Sequence, residues 1–263
     1  ILPSLNIHGK TKKFEKKITR DHTERLMKYL EVDFKIKKLS TGGKEIVING
    51  PCEIKSKNIE VPCDPSSASF FIVGALITPN SKITLKDVML NPTRTAFINI
   101  LKKMGGRIKI KKRNDLCGEN IGDISAEYSN LKGIKIPSSL SPLLIDEYPI
   151  LSVAASQAKG KTVMQGLDEL RHKESNRIES IYYNLKKIGF EVYKDKDDLS
   201  VLGGSVKKIN KELLIKSFND HRIAMSFSIL NIKYNNQFII DNKDCIGISY
   251  PKFLKHLNVL LQK

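Results

Sequence analysis

Residues Leu143 to Ile178 read LLIDEYPILSVAASQAKGKTVMQGLDELRHKESNRI and contain one complete unit of the pattern that organises this chain. The small and apolar residues after Pro149 predict a buried helix, and Lys159-Gly160-Lys161 predicts a turn that leads into a strand. A short charged loop follows, and the segment that begins near Asn176 has the spacing of an amphipathic helix. Helix and strand therefore alternate within about 35 residues.

The same plan occurs four times along the chain. Successive turns are 71, 80 and 75 residues apart, at Gly9, Asn80, Gly160 and Asn235. The second helices recur at intervals of 73, 81 and 74 residues and begin near His22, Thr95, Asn176 and Tyr250. Two independent markers with one period indicate an internal repeat. Each unit is predicted as α-β-α-β-β, which gives an α/β (α+β) protein with helices packed on sheets.

A change of domain is predicted between the first and second units. The segment Ile59–Ser67 contains two prolines around a Cys-Asp pair and ends in two serines before an apolar helix. This composition is typical of a crossing between lobes. We therefore divide the chain near Ser66, into residues 1–65 and residues 66–263.

Composition argues against several classes of protein, including nucleic-acid-binding, membrane-spanning and disulfide-rich proteins. The 263 residues carry a formal net charge of +17, but the lysines are spread over nearly every element and aromatic residues are few, which argues against a nucleic-acid partner. The longest apolar run, Phe70–Ile77, is too short to span a membrane, and we expect a cytoplasmic protein. The four cysteines have neither zinc-ligand spacing nor the pattern of a disulfide scaffold, so no metal is expected.

Asp146 and Glu147 are the first candidates for chemistry. Asp146 stands shortly before Pro149, so it has the place of a helix N-cap, with Glu147 in the first turn. A carboxylate at such a boundary can also act as a general base when a substrate hydroxyl reaches it. Spacing alone leaves both interpretations open.

A second candidate is the run Arg171-His172-Lys173-Glu174-Ser175-Asn176-Arg177. In an extended segment Arg171 and Lys173 would point to one side and Glu174 to the other. An anion near the helix that starts at Arg177 would meet free backbone N–H groups and a guanidinium. A solvated charged loop is the alternative, although three cations so close together repel one another unless anions bind.

The run Asn219-Asp220-His221-Arg222 repeats this design, with a capping residue followed by an Arg in the first turn of a helix. A positive charge is unfavourable at that end of the helix dipole. Bidentate binding of a carboxylate or phosphate would explain the position of Arg222, but a structural role is equally compatible with the pattern.

The segments IDEYP, LRHKESNRI and NDHRIAMSF, together with DPSSASFF, NPTRT and TRDHTER, closely resemble the EPSP synthase family of enolpyruvyl transferases. The resemblance covers nearly the whole chain. It implies repeated βαβαββ units of the inverse α/β barrel type in two lobes that close over shikimate 3-phosphate and phosphoenolpyruvate. Residues 1–65 would then be the last repeat of the first lobe, and residues 66–263 the second lobe. The expected activity transfers the enolpyruvyl group to the shikimate 5-hydroxyl in the shikimate pathway, without a cofactor, and the complete protein would be a monomer.

The resemblance also implies roles for individual residues. Asp146 resembles the carboxylate that takes the 5-hydroxyl proton, and Glu174 the residue that protonates the phosphoenolpyruvate methylene. Lys173 would contact shikimate 3-phosphate and share in proton transfer. The remaining assignments are phosphoenolpyruvate binding by Arg177 and Arg222, and shikimate 3-phosphate binding by Thr19, Arg20 and Asp146.

The chain departs from the family pattern in two respects. The family's opening segments have no counterpart, and the chain starts at Ile1 without an initiator Met, so we expect a truncated chain that turns over no substrate alone. Ile248 stands where the family usually has a Lys that would contact phosphate. Two alternatives remain: an enzyme like UDP-N-acetylglucosamine enolpyruvyl transferase, and a cationic binding module on the same scaffold without catalytic activity.

Overall fold

Helices and strands follow the predicted α-β-α-β-β order in the second and third units, and two short strands, Lys135–Ile136 and Leu213–Ile215, are additions that the repeat does not predict. The structure is a computed structural model that describes residues 1–17, 19–40, 42–204, 209 and 211–261. The α-helices of these residues are α1 His22–Tyr29, α2 Pro65–Ile77, α3 Ala96–Lys103, α4 Ser141–Leu144, α5 Tyr148–Ser156, α6 Arg177–Ile188, α7 His221–Lys233 and α8 Phe253–Leu261. The strands are β1 Gly9–Glu15, β2 Phe34–Lys38, β3 Lys44–Gly50, β4 Lys82–Met89, β5 Arg107–Lys112, β6 Ile121–Glu127, β7 Lys135–Ile136, β8 Gly160–Met164, β9 Glu191–Asp195, β10 Asp198–Gly203, β11 Leu213–Ile215 and β12 Phe238–Ile240.

The strands form one sheet for each of the first three units. The orders are β1-β3-β2, β4-β6-β5 and β7-β8-β10-β9, and a two-stranded pair β11-β12 belongs to the last unit. Pairing is antiparallel within the first two sheets, whereas β7 runs parallel to β8 and β11 parallel to β12. In each of the first three sheets an inner strand, β3, β6 or β10, pairs with the strand that directly precedes it in the chain, β2, β5 or β9, and with an earlier strand, β1, β4 or β8, from which a helix separates it.

Three inner helices, α2, α5 and α7, pack against one another beneath the sheets. All residues of α5 are buried, and every residue of α2 except Ser67. A helix that is apolar on all sides is stable in water only inside a protein, so these small-residue helices form the centre of the larger apolar core. In the parts of the chain that the structure describes, no helix is both long and apolar enough to cross a bilayer.

The outer helices are amphipathic, as predicted. α6 buries Ile178, Ile181, Leu185 and Ile188 along one stripe. Its first turn is capped by Asn176, whose side chain accepts a hydrogen bond from the backbone N–H of Glu179 at 3.3 Å. The helix ends at Gly189 with a left-handed φ of 108°, a conformation that costs a glycine little because it has no Cβ.

The apolar residues form two separate cores. A small cluster belongs to the first unit and contains Leu5, Met27, Val32, Ile46 and Ile48. A much larger cluster begins at Ala68 and reaches Leu257. The predicted boundary near Ser66 falls in the first turn of α2, which Asp64 caps through the backbone N–H of Ser67. The division into two lobes stays a prediction.

Polar side chains connect the first unit to the second. Asn91 donates a hydrogen bond to Asp21 at 2.7 Å, and His22 Nδ1 lies 2.5 Å from Glu119 Oε1. Asn91 and Glu119 are buried, so these bonds are shielded from water. They hold the start of α1, and with it Arg20, against the second unit.

Gly203 gives a direct test of the packing between β10 and α5. A Cβ at this position would lie 2.0 Å from the backbone oxygen of Ala158 and 2.4 Å from that of Ala155. Because backbone atoms cannot move aside as a side chain can, we expect Gly203→Ala to lower the free energy of unfolding by about 1–3 kcal/mol. Urea unfolding at pH 7 measures the change.

Gly247→Ala is the matched control, since a Cβ there meets no atom within 4 Å. Its free energy of unfolding should stay the same or rise by up to about 1 kcal/mol. Equal losses in the two variants would contradict the proposed close contact between β10 and α5.

Candidate active site

The N-terminal ends of α2, α5 and α7 meet at one place. Ser66 in the first turn of α2 donates a hydrogen bond to Glu147, the N-cap residue of α5. Arg222 in the first turn of α7 donates from Nη1 to the backbone oxygen of Asp146 at 3.0 Å. Helix N-termini carry a partial positive charge, so this junction favours anions before any side chain is counted.

Asp146 is not the helix cap that spacing alone suggests. It lies in the turn between α4 and α5, and its carboxylate points into a group of arginines. Arg20 forms an ion pair with Oδ2, Arg177 Nη1 lies 3.6 Å from Oδ1, and Arg222 Nη2 lies 3.8 Å from Oδ2. The N-cap position is occupied by Glu147, whose side chain makes no capping bond.

The adjacent carboxyl groups of Asp146 and Glu147 ionise very differently. Burial alone would raise the pKa of Asp146, but the charges of Arg222, Arg20 and Arg177 outweigh burial and lower the pKa to about 2. Glu147 is more deeply buried, and the loss of water raises its pKa to about 7, despite the hydrogen bond from Ser66. Near neutral pH, Asp146 is therefore an ionised proton acceptor beside a carboxyl group that exchanges its proton.

Arg177 is completely buried and lies at the centre of a carboxylate cluster. Its Nε donates to Asp220 Oδ2 at 2.8 Å, and its Nη2 donates to Glu174 Oε2 at 2.5 Å. Burial alone would raise the pKa of Asp220, but the hydrogen bond and charge of Arg177 lower it. Among the described residues, Nη1 is buried and has no hydrogen-bond partner, although it lies 3.6 Å from Asp146 Oδ1, so its hydrogen-bonding capacity is unmet.

A strained turn leads into α7. Phe218 and Asn219 both have left-handed backbone conformations, with φ of 54° and 57°. Asn tolerates this region, whereas a bulky residue such as Phe adopts it at a cost. The turn directs Asp220 to cap α7 through the backbone N–H of Arg222, at 2.8 Å, while the same side chain holds Arg177.

The other predicted site residues lie at the edge of this cluster. Glu174 contacts Arg177, and its side chain is 47% exposed. Lys173 is half-buried and Thr19 is exposed, and neither has a hydrogen bond or ion pair to another described residue. The structure thus brings together Asp146, Arg177, Arg222, Glu174 and Arg20, while it leaves Lys173 and Thr19 without a contact that tests their roles.

The segment around Arg171 is not the extended loop considered in the sequence analysis. Residues Asp168–His172 form a 3-10 helix, and Arg171 turns away to Asp197 at 3.0 Å and to the backbone oxygen of Lys196 at 2.5 Å. Repulsion among the cations of this run is also no evidence for bound anions. Carboxylates from distant parts of the chain neutralise both arginines of this run, and local spacing cannot show them.

Ile248 ends a 3-10 helix, Asp244–Ile248, that packs near α7. It is 81% exposed, so a longer cationic side chain at this position would meet no steric obstacle in its first atoms. The surface here accepts either residue, and the consequence of Ile248 for binding stays a prediction.

Sequence reasoning missed the residues that support the site from α2 and from the β4–α3 connection. Arg94 Nη2 donates to Asp64 Oδ1 at 2.7 Å and to Ser66 Oγ at 3.0 Å. Both motifs, DPSSASFF and NPTRT, stood out in the sequence. Their connection to Glu147 could not be found because it depends on contacts between elements far apart in the chain.

The group can bind anions and move protons. Three arginines surround one ionised carboxylate, so a substrate with phosphate or carboxylate groups would replace carboxylate contacts with its own oxygens. Asp146 is then free to accept a proton from a hydroxyl. Within the described residues, no group of three or more His, Cys, Asp or Glu side chains is placed to hold a metal ion.

The buried pair of Arg177 and Asp220 should be essential for stability. We expect Asp220→Asn to lower the free energy of unfolding by about 3–5 kcal/mol, because the guanidinium loses its closest buried counter-charge. Asn is as good an N-cap as Asp, so lost capping does not explain such a change. Urea unfolding at pH 7 provides the measurement.

Asp197→Asn is the matched control because Asp197 pairs with Arg171 at the surface. Its loss should stay below about 1 kcal/mol, as for other exposed ion pairs. A loss of similar size at both positions would contradict the central place of the buried pair.

Comparison with known proteins identifies the family. A sequence profile described as EPSP synthase (3-phosphoshikimate 1-carboxyvinyltransferase) matches residues 2–257. The 3-phosphoshikimate 1-carboxyvinyltransferase of Petrotoga mobilis is 43% identical over 96% of this chain and 57% of its own length. That of Clostridium tetani is 43% identical over 94% of this chain and 55% of its own length.

Solved structures agree. An EPSP synthase from Acinetobacter baumannii superposes with a TM-score of 0.84 at 38% identity, covering 96% of this chain and 57% of that protein. An enolpyruvyl transferase from Streptomyces tendae shares the fold, with a TM-score of 0.67 at 13% identity over 98% of this chain and 57% of that protein. The chain thus spans somewhat more than half the length of its relatives, and on the match of nearly all its residues it belongs to the EPSP synthase family.

Proposed function

We propose that this chain supplies one face of an active site that transfers the enolpyruvyl group of phosphoenolpyruvate to the 5-hydroxyl of shikimate 3-phosphate. The products are 5-enolpyruvylshikimate 3-phosphate and phosphate. The observation that carries the proposal is the ionised carboxylate of Asp146, held among Arg20, Arg177 and Arg222 where three helix N-termini meet. Such a group can both accept a proton and bind strongly anionic substrates.

In the proposed reaction, the oxygen of the shikimate 5-hydroxyl attacks C2 of phosphoenolpyruvate. Asp146 takes up the proton that this hydroxyl loses. Glu174, with Lys173, delivers a proton to the methylene carbon, and a tetrahedral intermediate results. Loss of a proton from the new methyl group and departure of phosphate then regenerate the double bond. General acid–base steps of this kind contribute roughly 10²- to 10⁴-fold each.

The cations divide between the two substrates. Arg222 and Arg177, whose Nη1 makes no hydrogen bond to another described residue, are proposed to bind phosphoenolpyruvate. Arg20, Thr19 and Lys173 are proposed to bind shikimate 3-phosphate. Arg20 now pairs with Asp146, and exchange of this partner for a phosphate oxygen would leave the base available for the hydroxyl.

The remaining contacts would come from parts of the family architecture outside this chain, which covers 57% of the Petrotoga mobilis relative. Both lobes must close on the substrates in this proposal, so the chain alone should bind them weakly and turn over neither. The family match favours shikimate 3-phosphate over the UDP-sugar acceptor of the alternative enolpyruvyl transferase. No observation favours the other alternative, a cationic binding module without catalytic activity.

Phosphate release tests the proposal. We would join the chain to the segments of the Petrotoga mobilis relative that have no counterpart in it and supply both substrates. The chimera should release phosphate and the 263-residue chain alone should not. Asp146→Asn in the chimera should lower kcat by about 10²- to 10⁴-fold, because the proton acceptor is lost.

Asp195→Asn serves as the control, since Asp195 is an exposed residue at the end of β9. It should leave kcat within about twofold of the unsubstituted chimera, well below the 10²-fold effect of a lost base. An Asp146→Asn chimera with more than a tenth of the activity would contradict the assigned base. Phosphate release by the chain alone would contradict the need for both lobes.

The effect of Ile248 can be measured in the same chimera. Ile248→Lys should tighten phosphoenolpyruvate binding by about 10- to 150-fold, the equivalent of a charge-assisted hydrogen bond of about 1.5–3 kcal/mol. Ile239→Lys, at an exposed position of β12, controls for the added charge. Unchanged affinity in Ile248→Lys, or an equal gain in both variants, would show that this position makes no specific contact.

A further inference from the structure

Glu147 is a buried acid to which the proposed reaction gives no role. It is 3% exposed and sits at the N-terminus of α5, directly after the proposed base. Its Oε1 accepts a hydrogen bond from Ser66 Oγ at 2.5 Å and lies 4.0 Å from Arg222 Nη1. A buried acid is rarely retained without partners, so its surroundings need an account.

The groups that face Glu147 come from every element packed against it. They are the hydroxyl of Ser66 on α2, the guanidinium of Arg94 from the β4–α3 connection, the guanidinium of Arg222 on α7 and the carboxylate of Asp146. Arg94 already donates to Asp64 and Ser66. Arg222 is therefore the cation whose charge Glu147 can most directly offset.

The distance of 4.0 Å is too long for a hydrogen bond but short for two charges in a poorly hydrated site. When Glu147 is ionised, it offsets part of the field of Arg222. When it is protonated, Arg222 presents its full charge to a ligand. Burial raises the pKa of Glu147 to about 7, so both states are populated near neutral pH.

We propose that Glu147 is a positioning residue for the anion site, which takes up one proton from the solvent as an anion binds at Arg222 and releases it when the anion leaves. The bond formed is O–H on the Glu147 carboxylate, and the buffer supplies the proton. Ser66 holds the carboxyl in place in both states. The bound anion and an ionised Glu147 would repel each other, and protonation removes this repulsion.

By linkage, the affinity of the anion must fall as pH rises through the ionisation of Glu147, since the protonated form binds better. The inference deepens the proposed function and rests on it for its biological meaning. Binding of phosphoenolpyruvate at Arg222 would protonate Glu147 and leave Asp146 as the one ionised carboxylate of the adjacent pair. The two neighbouring acids would then keep separate roles throughout the reaction.

Sulfate binding to the 263-residue chain tests the inference without any turnover. Sulfate keeps one charge state across neutral pH, so protons taken up on binding belong to the protein. Titration calorimetry at pH 7 in two buffers of different ionisation enthalpy gives the number of protons. At pH 7 Glu147 is already about half protonated before sulfate binds, so we expect an average uptake of about 0.4 proton per sulfate. The dissociation constant should be about sevenfold higher at pH 8.5 than at pH 6, as for one site whose pKa rises from about 7 by one unit.

His221 also lies near Arg222, but burial and the charge of Arg222 lower its pKa from 6.5, whereas burial raises the pKa of Glu147, so the two groups are shifted in opposite directions. Glu147→Gln retains a side-chain oxygen for Ser66 and cannot ionise. It should bind sulfate at pH 7 with a proton uptake near zero and lose the pH dependence between pH 6 and 8.5. Asp195→Asn, which removes an exposed acid at the end of β9, should behave as the unsubstituted chain.

A measurement on the unsubstituted chain covers the case that Glu147→Gln does not fold. Carbon-13 NMR of the Glu147 carboxyl should give a titration midpoint that rises by about one unit when sulfate saturates the site. A midpoint unmoved by sulfate, or the same proton uptake in Glu147→Gln, would overturn the inference. If sulfate linkage is present but the chimera releases no phosphate, the proposed function fails while the linkage stands.

Discussion

The buried ion pair between Arg177 and Asp220 is the interaction on which the arrangement of the site depends. Both side chains are shielded from water, and the guanidinium donates to the carboxylate at 2.8 Å. The pair joins the first turn of α6 to the residue that caps α7. Strands β9, β10 and β11 lie between these two helices along the chain. Because separated charges would be very costly inside the protein, the two helix ends can hardly move apart without unfolding.

This constraint fixes the remaining groups. With α7 held in place, Arg222 can reach the backbone of Asp146, and Asp146 is thereby set among three arginines. The carboxylate beside it is placed between Ser66 and Arg222 in a drier position. Two acids adjacent in sequence consequently ionise several pH units apart, because one faces cations and the other is mainly desolvated.

Much of the architecture could be predicted from periodic patterns. The stripe of Ile178, Ile181, Leu185 and Ile188 predicts the buried side of α6, and Gly189 its end, because both follow from helix geometry and local backbone energetics. The same patterns do not predict the conformation of the charged loop before α6 or the partners of its side chains. Arg171 pairs with Asp197 across a sheet turn, and no local rule reveals a partner that the chain brings in from elsewhere.

The sequence alone determined the four-unit repeat, the helix-and-strand class and, through several specific motifs, the family. These properties depend on residue spacing and composition within short segments, where neighbours along the chain are neighbours in space. Tertiary structure decided that Asp146 is an ion-paired acid and not a cap, that Arg177 is buried among carboxylates, and that Glu147, Ser66 and Arg94 support the site. Ionisation depends on burial and on charges within a few ångströms, and folding assembles both from segments that are far apart in the chain.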